Sequence, residues 1–236
     1  MTGLGILVLL IFISSIPAIA VYCWFRLAKY PFSLFQFSAA LLAGAAAFFP
    51  ALVLQRIFPG DAVWAAGKWA LLIKIFIQGA LTEELSRLLV LLVLFGIIGR
   101  FRDGTKDTSG ETGIMSYNTI IWGTAAGLAA GLGFAVLESA AYGASDANVV
   151  MLRAVTAAPL HAACGSRVGS AAILFRERPA QAVFRFLSAV VIHGIYNFMI
   201  IMPGFPSLAA VLIALSTLAS SILAIRGGMR PVAEKM

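Results

Sequence analysis

Apolar residues along this chain run together instead of alternating with polar ones. Seven stretches, at about 4–25, 34–55, 69–98, 117–143, 149–175, 182–202 and 205–225, are long enough to cross a bilayer as helices. A closed barrel needs strict alternation, and none of these stretches shows it. The pattern predicts an all-α polytopic bundle of about seven transmembrane spans, forming a single integral membrane domain over residues 1–236. The third stretch is too long for one perpendicular span. Trp64, Lys68, Trp69 and Lys74 at its start predict that residues 62–76 lie along the membrane interface before the helix enters. The first stretch resembles a signal-peptide core, but no basic residue precedes it, while Arg26 and Lys29 follow, so it reads as a retained span.

Polar punctuation between the stretches is short. The longest piece is the loop 99–116, with Asp103, Gly104, Lys106, Asp107, Ser109, Gly110 and Glu111; it reads as a flexible cytoplasmic connection. The chain is 61% hydrophobic and 11% charged, with a mean hydropathy of +0.97, which excludes a soluble domain of this size. A net charge of +7 raises the question of nucleic acid, but the basic residues sit in short loops and form no long run. Their distribution instead sets topology. With the N-terminus outside, eleven basic residues fall inside: Arg26, Lys29, Arg100, Arg102, Lys106, Arg176, Arg178, Arg185, Arg226, Arg230 and Lys235. Arg56, Lys68 and Arg153 fall outside, with Lys74 close by. The bias predicts an N-out, C-in protein of the cell membrane. Cys23 and Cys164 lie in apolar stretches and read as packing residues.

Against this background a few ionisable residues interrupt the apolar stretches: Glu83, Glu84, Arg87, Glu138, and His161 and His193, the only two histidines. Such groups are costly at membrane depth and point to a cavity or a partner. Glu83 lies four residues before Arg87 and Glu84 three before it, so both reach the guanidinium from directions about 100° apart. One carboxylate can be held by Arg87 while the other faces a reaction centre. Glu138 has no charged neighbour on its own helix, which carries Gly123, Gly127 and Gly131 at four-residue spacing, a face for close helix approach. His161 follows Pro159-Leu160, and His193 shares a face with Asn197. Each feature alone admits a structural reading, as a buried ion pair or a polar helix contact. Together, under the N-out topology, they fall roughly 7–18 Å below the outer surface at 1.5 Å per residue.

The ordered set Glu83-Glu84-Leu85-Ser86-Arg87, Phe134 to Glu138, Pro159-Leu160-His161 and His193 to Asn197 resembles PrsW-type intramembrane proteases, relatives of the CAAX-prenyl-protease and bacteriocin-processing (CPBP) membrane enzymes. The resemblance spans residues 78–200. It implies that Glu83, Glu84, Glu138, His161, His193 and Asn197 form the site. It further implies cleavage of a membrane-anchored protein, such as an anti-sigma factor, near the outer face. The CAAX-type enzymes end the second motif in histidine where this chain has Glu138, and the PrsW-type first motif commonly ends in lysine where this chain has Arg87.

The expectation is therefore an endopeptidase acting on a single-span membrane protein. Glu84 is the general base on water, His161 and His193 orient that water or stabilise the oxyanion, Asn197 supports them, and Arg87 holds the partner carboxylate. A zinc version uses Glu138, His161 and His193 as ligands with Glu84 as base. No His-Glu-x-x-His helix is present, and the metal-independent version is preferred. A proton-coupled transporter or channel is the competing class, because intramembrane Glu and His also build relays. It would show repeated halves or paired broken helices, and the sequence shows neither. A scaffold binding other helices through the glycine face would not need two histidines and three carboxylates at one depth.

Overall fold

A computed structural model describes residues 3–57, 68–102, 117–144, 146–201 and 207–229. Among them there are helices and no strand. Helix α1 spans Gly3–Leu27 and α2 Leu34–Ile57. Helix α3, Lys68–Ile73, runs through a π-helical segment, Lys74–Leu81, into α4, Thr82–Arg102. Then follow α5 (Tyr117–Gly143), α6 (Ala147–Val155), α7 (Ala157–Leu174), α8 (Pro179–Ile201) and α9 (Ser207–Met229).

Helices α1, α2, α5, α8 and α9 are long and apolar enough to cross a membrane, and α6 with α7 makes a sixth crossing if the pair is one span. The protein is thus a multi-pass membrane protein with five or six such helices among the described residues. The expected seventh, in the third stretch, corresponds to α4, which is less apolar than the others because Glu83, Glu84 and Arg87 lie in its first two turns and Arg100 and Arg102 at its end. The fifth stretch, expected as one helix over 149–175, is broken at Thr156 and bent by 44°. Pro159 lacks the N–H that would bond to the Val155 carbonyl, and the break falls in the turn where that bond is missing. Thr156 closes the end of α6 by donating both its N–H, at 3.1 Å, and its hydroxyl, at 2.9 Å, to the Leu152 carbonyl. Of the proposed interfacial segment, residues 62–67 lie outside the described residues, as do residues 103–116 of the long loop; residues 99–102 continue α4.

Helices α5 and α7 form the centre. The apolar stretch of α5 is 83% buried, against 17–33% in the other four long helices, and 15 of the 18 residues of α7 are buried. They approach through glycine. A Cβ at Gly127 would strike the Gly165 carbonyl, one at Gly131 the His161 carbonyl, and one at Gly169 the Gly123 carbonyl. Backbone therefore meets backbone, as small residues permit where no hydrophobic effect drives helices together. On the other flank of α5, Gly44 and Gly133 allow the same closeness between α2 and α5. Exposed residues such as Phe12, Phe35, Phe49, Phe184 and Leu208 face outward, as a lipid-covered surface requires.

Candidate active site

The first motif opens α4 directly after the π segment. Thr82 ties the junction by donating its hydroxyl to the Gln78 carbonyl at 2.5 Å and to the Gly79 carbonyl at 3.0 Å. The wider π turn inserts an extra residue per turn and sets the direction in which Gln78 and the following carboxylates project; such turns recur at functional sites. From the next turn, Arg87 enters the bundle fully buried, its guanidinium 4.6 Å above the Phe134 ring.

Arg87 joins the four motifs. Its Nη2 donates to Glu84 Oε1 at 2.8 Å and to His161 Nδ1 at 3.1 Å, and lies 3.8 Å from Glu83 Oε2. Guanidinium has no acceptor, so His161 Nδ1 must accept and Nε2 carries the proton. That Nε2–H points at Glu138 Oε2, 2.6 Å away. His193 has the opposite arrangement. Its Nδ1 donates to Glu84 Oε1 at 2.7 Å, leaving the Nε2 lone pair toward Glu83 Oε2 at 3.7 Å. The two imidazoles meet edge to face, with ring centroids 5.0 Å apart.

The two carboxylates of the motif thereby separate in character. Glu84 is sealed from solvent and shares one oxygen between Arg87 and His193. Glu83 is held more loosely: its Oε1 accepts from Gln55 Nε2 at 3.3 Å and its Oε2 lies 3.8 Å from Arg87; the second oxygen of each glutamate, Glu83 Oε2 and Glu84 Oε2, has no hydrogen-bond partner among the described residues. The arrangement reverses the expected division, in which Arg87 held Glu83 and freed Glu84. Residue spacing alone puts both within reach of Arg87; the rotation set by the π segment and by His193 decides which is gripped.

Glu138 finds its partner on α6. Arg153 Nη2 donates to Glu138 Oε2 at 2.5 Å, Arg153 Nε donates to Ser139 Oγ at 3.2 Å, and the guanidinium stacks 4.3 Å over the Tyr142 ring. Asn197 does not bond to His193 among the described residues; it stands in the wall of the adjoining cavity. Sequence reasoning missed Gln55, Gln78 and Arg153. Gln78 Nε2 donates to the Gln55 carbonyl at 3.0 Å and so steadies the residue that holds Glu83. Arg153 had been counted only as a loop charge, although the partnerless Glu138 was a signal that some cation must come to it.

Two cavities meet at these groups. The larger, about 610 Å³, lies between the π segment, α6 and α8, and reaches Glu83, Glu138, His161 and Asn197. The smaller, about 240 Å³, lies between α2, α4 and α5, and is walled by Phe48, Leu52 and Phe134. They share Gln55, Glu83, Glu138 and Tyr142. Glu84, Arg87 and His193 border neither.

Glu83, His161 and His193 each bring one ligand atom within 4.8 Å of the others, a spacing that suits a single divalent cation. The expected zinc set named Glu138 in place of Glu83; Arg153 occupies Glu138, and Glu83 takes the position. Glu83, with its partnerless oxygen, and His193, with Glu84 behind it, match the pattern of a metal site in which a carboxylate supports a ligating histidine. His161 does not. A metal-ligating imidazole donates its other N–H, whereas the group opposite Nδ1 is the donor Arg87. The spacing fits a cation and the protonation pattern of His161 does not.

A family model described as PrsW family intramembrane metalloprotease matches residues 33–223. No curated protein and no solved structure matches the chain.

Proposed function

This chain belongs to the PrsW family of intramembrane metalloproteases, and from that premise we propose that it cleaves a single-span, membrane-anchored protein with water activated by Glu83. One observation carries the choice of base. Glu83 is the carboxylate of the first motif that borders both cavities, and Glu84 is sealed and committed to Arg87 and His193. A base must reach its proton within hydrogen-bond distance; of the two adjacent glutamates only Glu83 meets a space large enough for water and a peptide, and Glu138, which borders the same space, is engaged by Arg153 and His161.

Peptide hydrolysis then proceeds on groups already in place. Glu83 takes a proton from water as the water oxygen adds to the scissile carbonyl carbon. The oxyanion that forms faces the Asn197 amide in the cavity wall, while the His161 Nε2–H stays on Glu138 and holds that carboxylate in place. Arg87 keeps His161 in the donor tautomer and Glu84 fixes the His193 ring beside Glu83. As the carbon–nitrogen bond breaks, the proton held by Glu83 passes to the leaving amine. No step is assigned to a metal, because His161 is set up to donate and not to ligate.

The basic bias of the loops supports an N-out, C-in bundle of seven spans with α4 as the third, and hence cleavage near the outer face. A membrane-anchored regulator such as an anti-sigma factor is the substrate class we propose. The deciding experiment is cleavage of a single-span reporter in proteoliposomes by wild type, Glu83→Gln and Glu84→Gln, each with and without prior treatment with a zinc chelator. The expected result is activity that survives chelation and disappears in Glu83→Gln. Activity lost on chelation and restored by zinc would replace the metal-free reading, and full activity in folded Glu83→Gln would remove the proposed base.

A further inference from the structure

A second set of charges lies away from the protease site. Arg167 on α7 is six residues beyond His161, and Arg185 on α8 is eight residues before His193. At about 1.5 Å per residue, both stand roughly 9–12 Å from the histidines, toward the same end of the bundle. Arg167 crosses to α9, where its Nη1 donates to Ser221 Oγ at 3.2 Å and its Nη2 to Ser220 Oγ at 3.0 Å; Nη1 also donates to the Ala163 carbonyl at 2.9 Å. Arg185 crosses to α7, where its Nη1 donates to Ser170 Oγ at 3.3 Å. Every one of these acceptors is neutral. Arg87 and Arg153 each hold a carboxylate, but neither Arg167 nor Arg185 has one within ion-pair distance among the described residues.

Both guanidiniums border one open cavity of about 620 Å³, together with Gln181, Ser188 and Phe184. Phe184 is 75% exposed beside them, on the outward face of α8. Two like charges converging on a lipid-facing helix surface repel each other and are poorly solvated. Such an arrangement is stable when an anion lies between them.

We propose that this groove is a binding site for the phosphate headgroup of an anionic lipid, with one phosphate bridging Arg167 and Arg185. Guanidinium forks match phosphate oxygens, and basic pockets between membrane helices take anionic headgroups. Gln181 and Ser188 supply polar contacts at the rim, and Phe184 lies along the first carbons of an acyl chain. The height is suitable: Arg185 is six residues from the start of α8 at Pro179, roughly 9 Å along the helix axis. The site uses no residue of the proposed proteolytic machinery and stands or falls separately from it.

Inorganic phosphate offers the same chemistry as a headgroup, so the test separates the two. Full-length protein in detergent is titrated with phosphatidylglycerol, with phosphatidylcholine and with inorganic phosphate, and bound molecules are counted by native mass spectrometry. One phosphatidylglycerol is expected to bind roughly tenfold or more tightly than phosphatidylcholine. The double variant Arg167→Gln/Arg185→Gln is expected to lose that preference, and Arg176→Gln/Arg178→Gln to keep it. Millimolar phosphate is expected not to displace the lipid. Equal retention of the two lipids by wild type, or undiminished preference in the double variant, overturns the proposal; displacement by phosphate overturns the lipid assignment. Arg185 is exposed and has one hydrogen bond to lose, so folded Arg185→Gln provides the second check. It is expected to bind phosphatidylglycerol more weakly, and wild-type binding by it would rule out a shared phosphate.

Discussion

At the scale of single residues, the two adjacent glutamates stand in different surroundings, and their substitution separates the roles proposed for them. Glu83→Gln keeps shape and hydrogen bonding at the cavity edge but removes the proposed base. Its cleavage rate is expected to fall by about 10²–10⁴-fold, with thermal stability near wild type. Glu84→Gln leaves Arg87 buried without its closest counter-charge. Breaking one side of a buried pair typically costs about 3–5 kcal/mol, so lower yield and a reduced unfolding temperature are expected ahead of any effect on chemistry. Thermal unfolding measured beside cleavage distinguishes the two. A stable, inactive Glu84→Gln with an active Glu83→Gln would exchange the assignments. Arg153 belongs at this scale too. Arg153→Met strips Glu138 of its cation and leaves His161 Nε2–H as its one strong donor. Cleavage should weaken, and because the pair is partly exposed and His161 still donates to Glu138, the thermal midpoint should fall less than in Glu84→Gln.

Among the secondary-structure elements, the contact between α5 and α7 places the second and third motifs side by side. Gly131 touches the His161 backbone so closely that a Cβ would collide with its carbonyl oxygen and the Ala162 Cα. The neighbours are backbone atoms and cannot rotate away. Gly131→Ala is expected to push α7 outward, cost about 1–3 kcal/mol or more, and reduce cleavage by moving His161 away from Glu138 and Arg87. Gly96→Ala, where a Cβ meets nothing within 4 Å, is the control and should leave cleavage unchanged. A parallel loss of activity in both would show that helical glycine is needed for reasons other than packing. The break at Thr156 acts at the same scale: by turning α6 away from α7, it lets Arg153 return to Glu138 while His161 continues into the core.

For the whole molecule, the membrane is the solvent, and orientation decides which substrates reach the cavity. The basic residues concentrate on one side of the predicted topology, and the larger cavity opens near the α6 and α8 ends assigned to the other. A cysteine introduced at Ser109 should react with an impermeant thiol reagent only in broken cells or inverted vesicles, with Cys23 and Cys164 replaced beforehand. Labelling in intact cells would reverse the topology and send the site to cytoplasmic-side substrates. The cation question also belongs to the assembled site. If His161 stays protonated at Nε2, metal analysis of purified protein should find substoichiometric zinc and full activity.

The sequence by itself determined the solvent, the all-helical class and which ionisable residues interrupt the apolar stretches. Runs of apolar residues without alternation specify membrane helices, since backbone polar groups in lipid must be satisfied within the segment. Charges inside those runs stand out because lipid penalises them. The glycines at 123, 127 and 131 already marked a close contact, and the structure places α7 there. The tertiary structure alone decided who pairs with whom. Glu83 and Glu84 are equivalent by spacing to Arg87, and only the π turn, the sealed position of Glu84 and the arrival of His193 tell them apart. Arg153 is read from the sequence only as an outer charge, and becomes the partner of Glu138 where the helix breaks at Thr156 and bends by 44°. Periodicity reports which residues must be buried. It carries no information on the rotation of one helix against another, and that rotation sets the site.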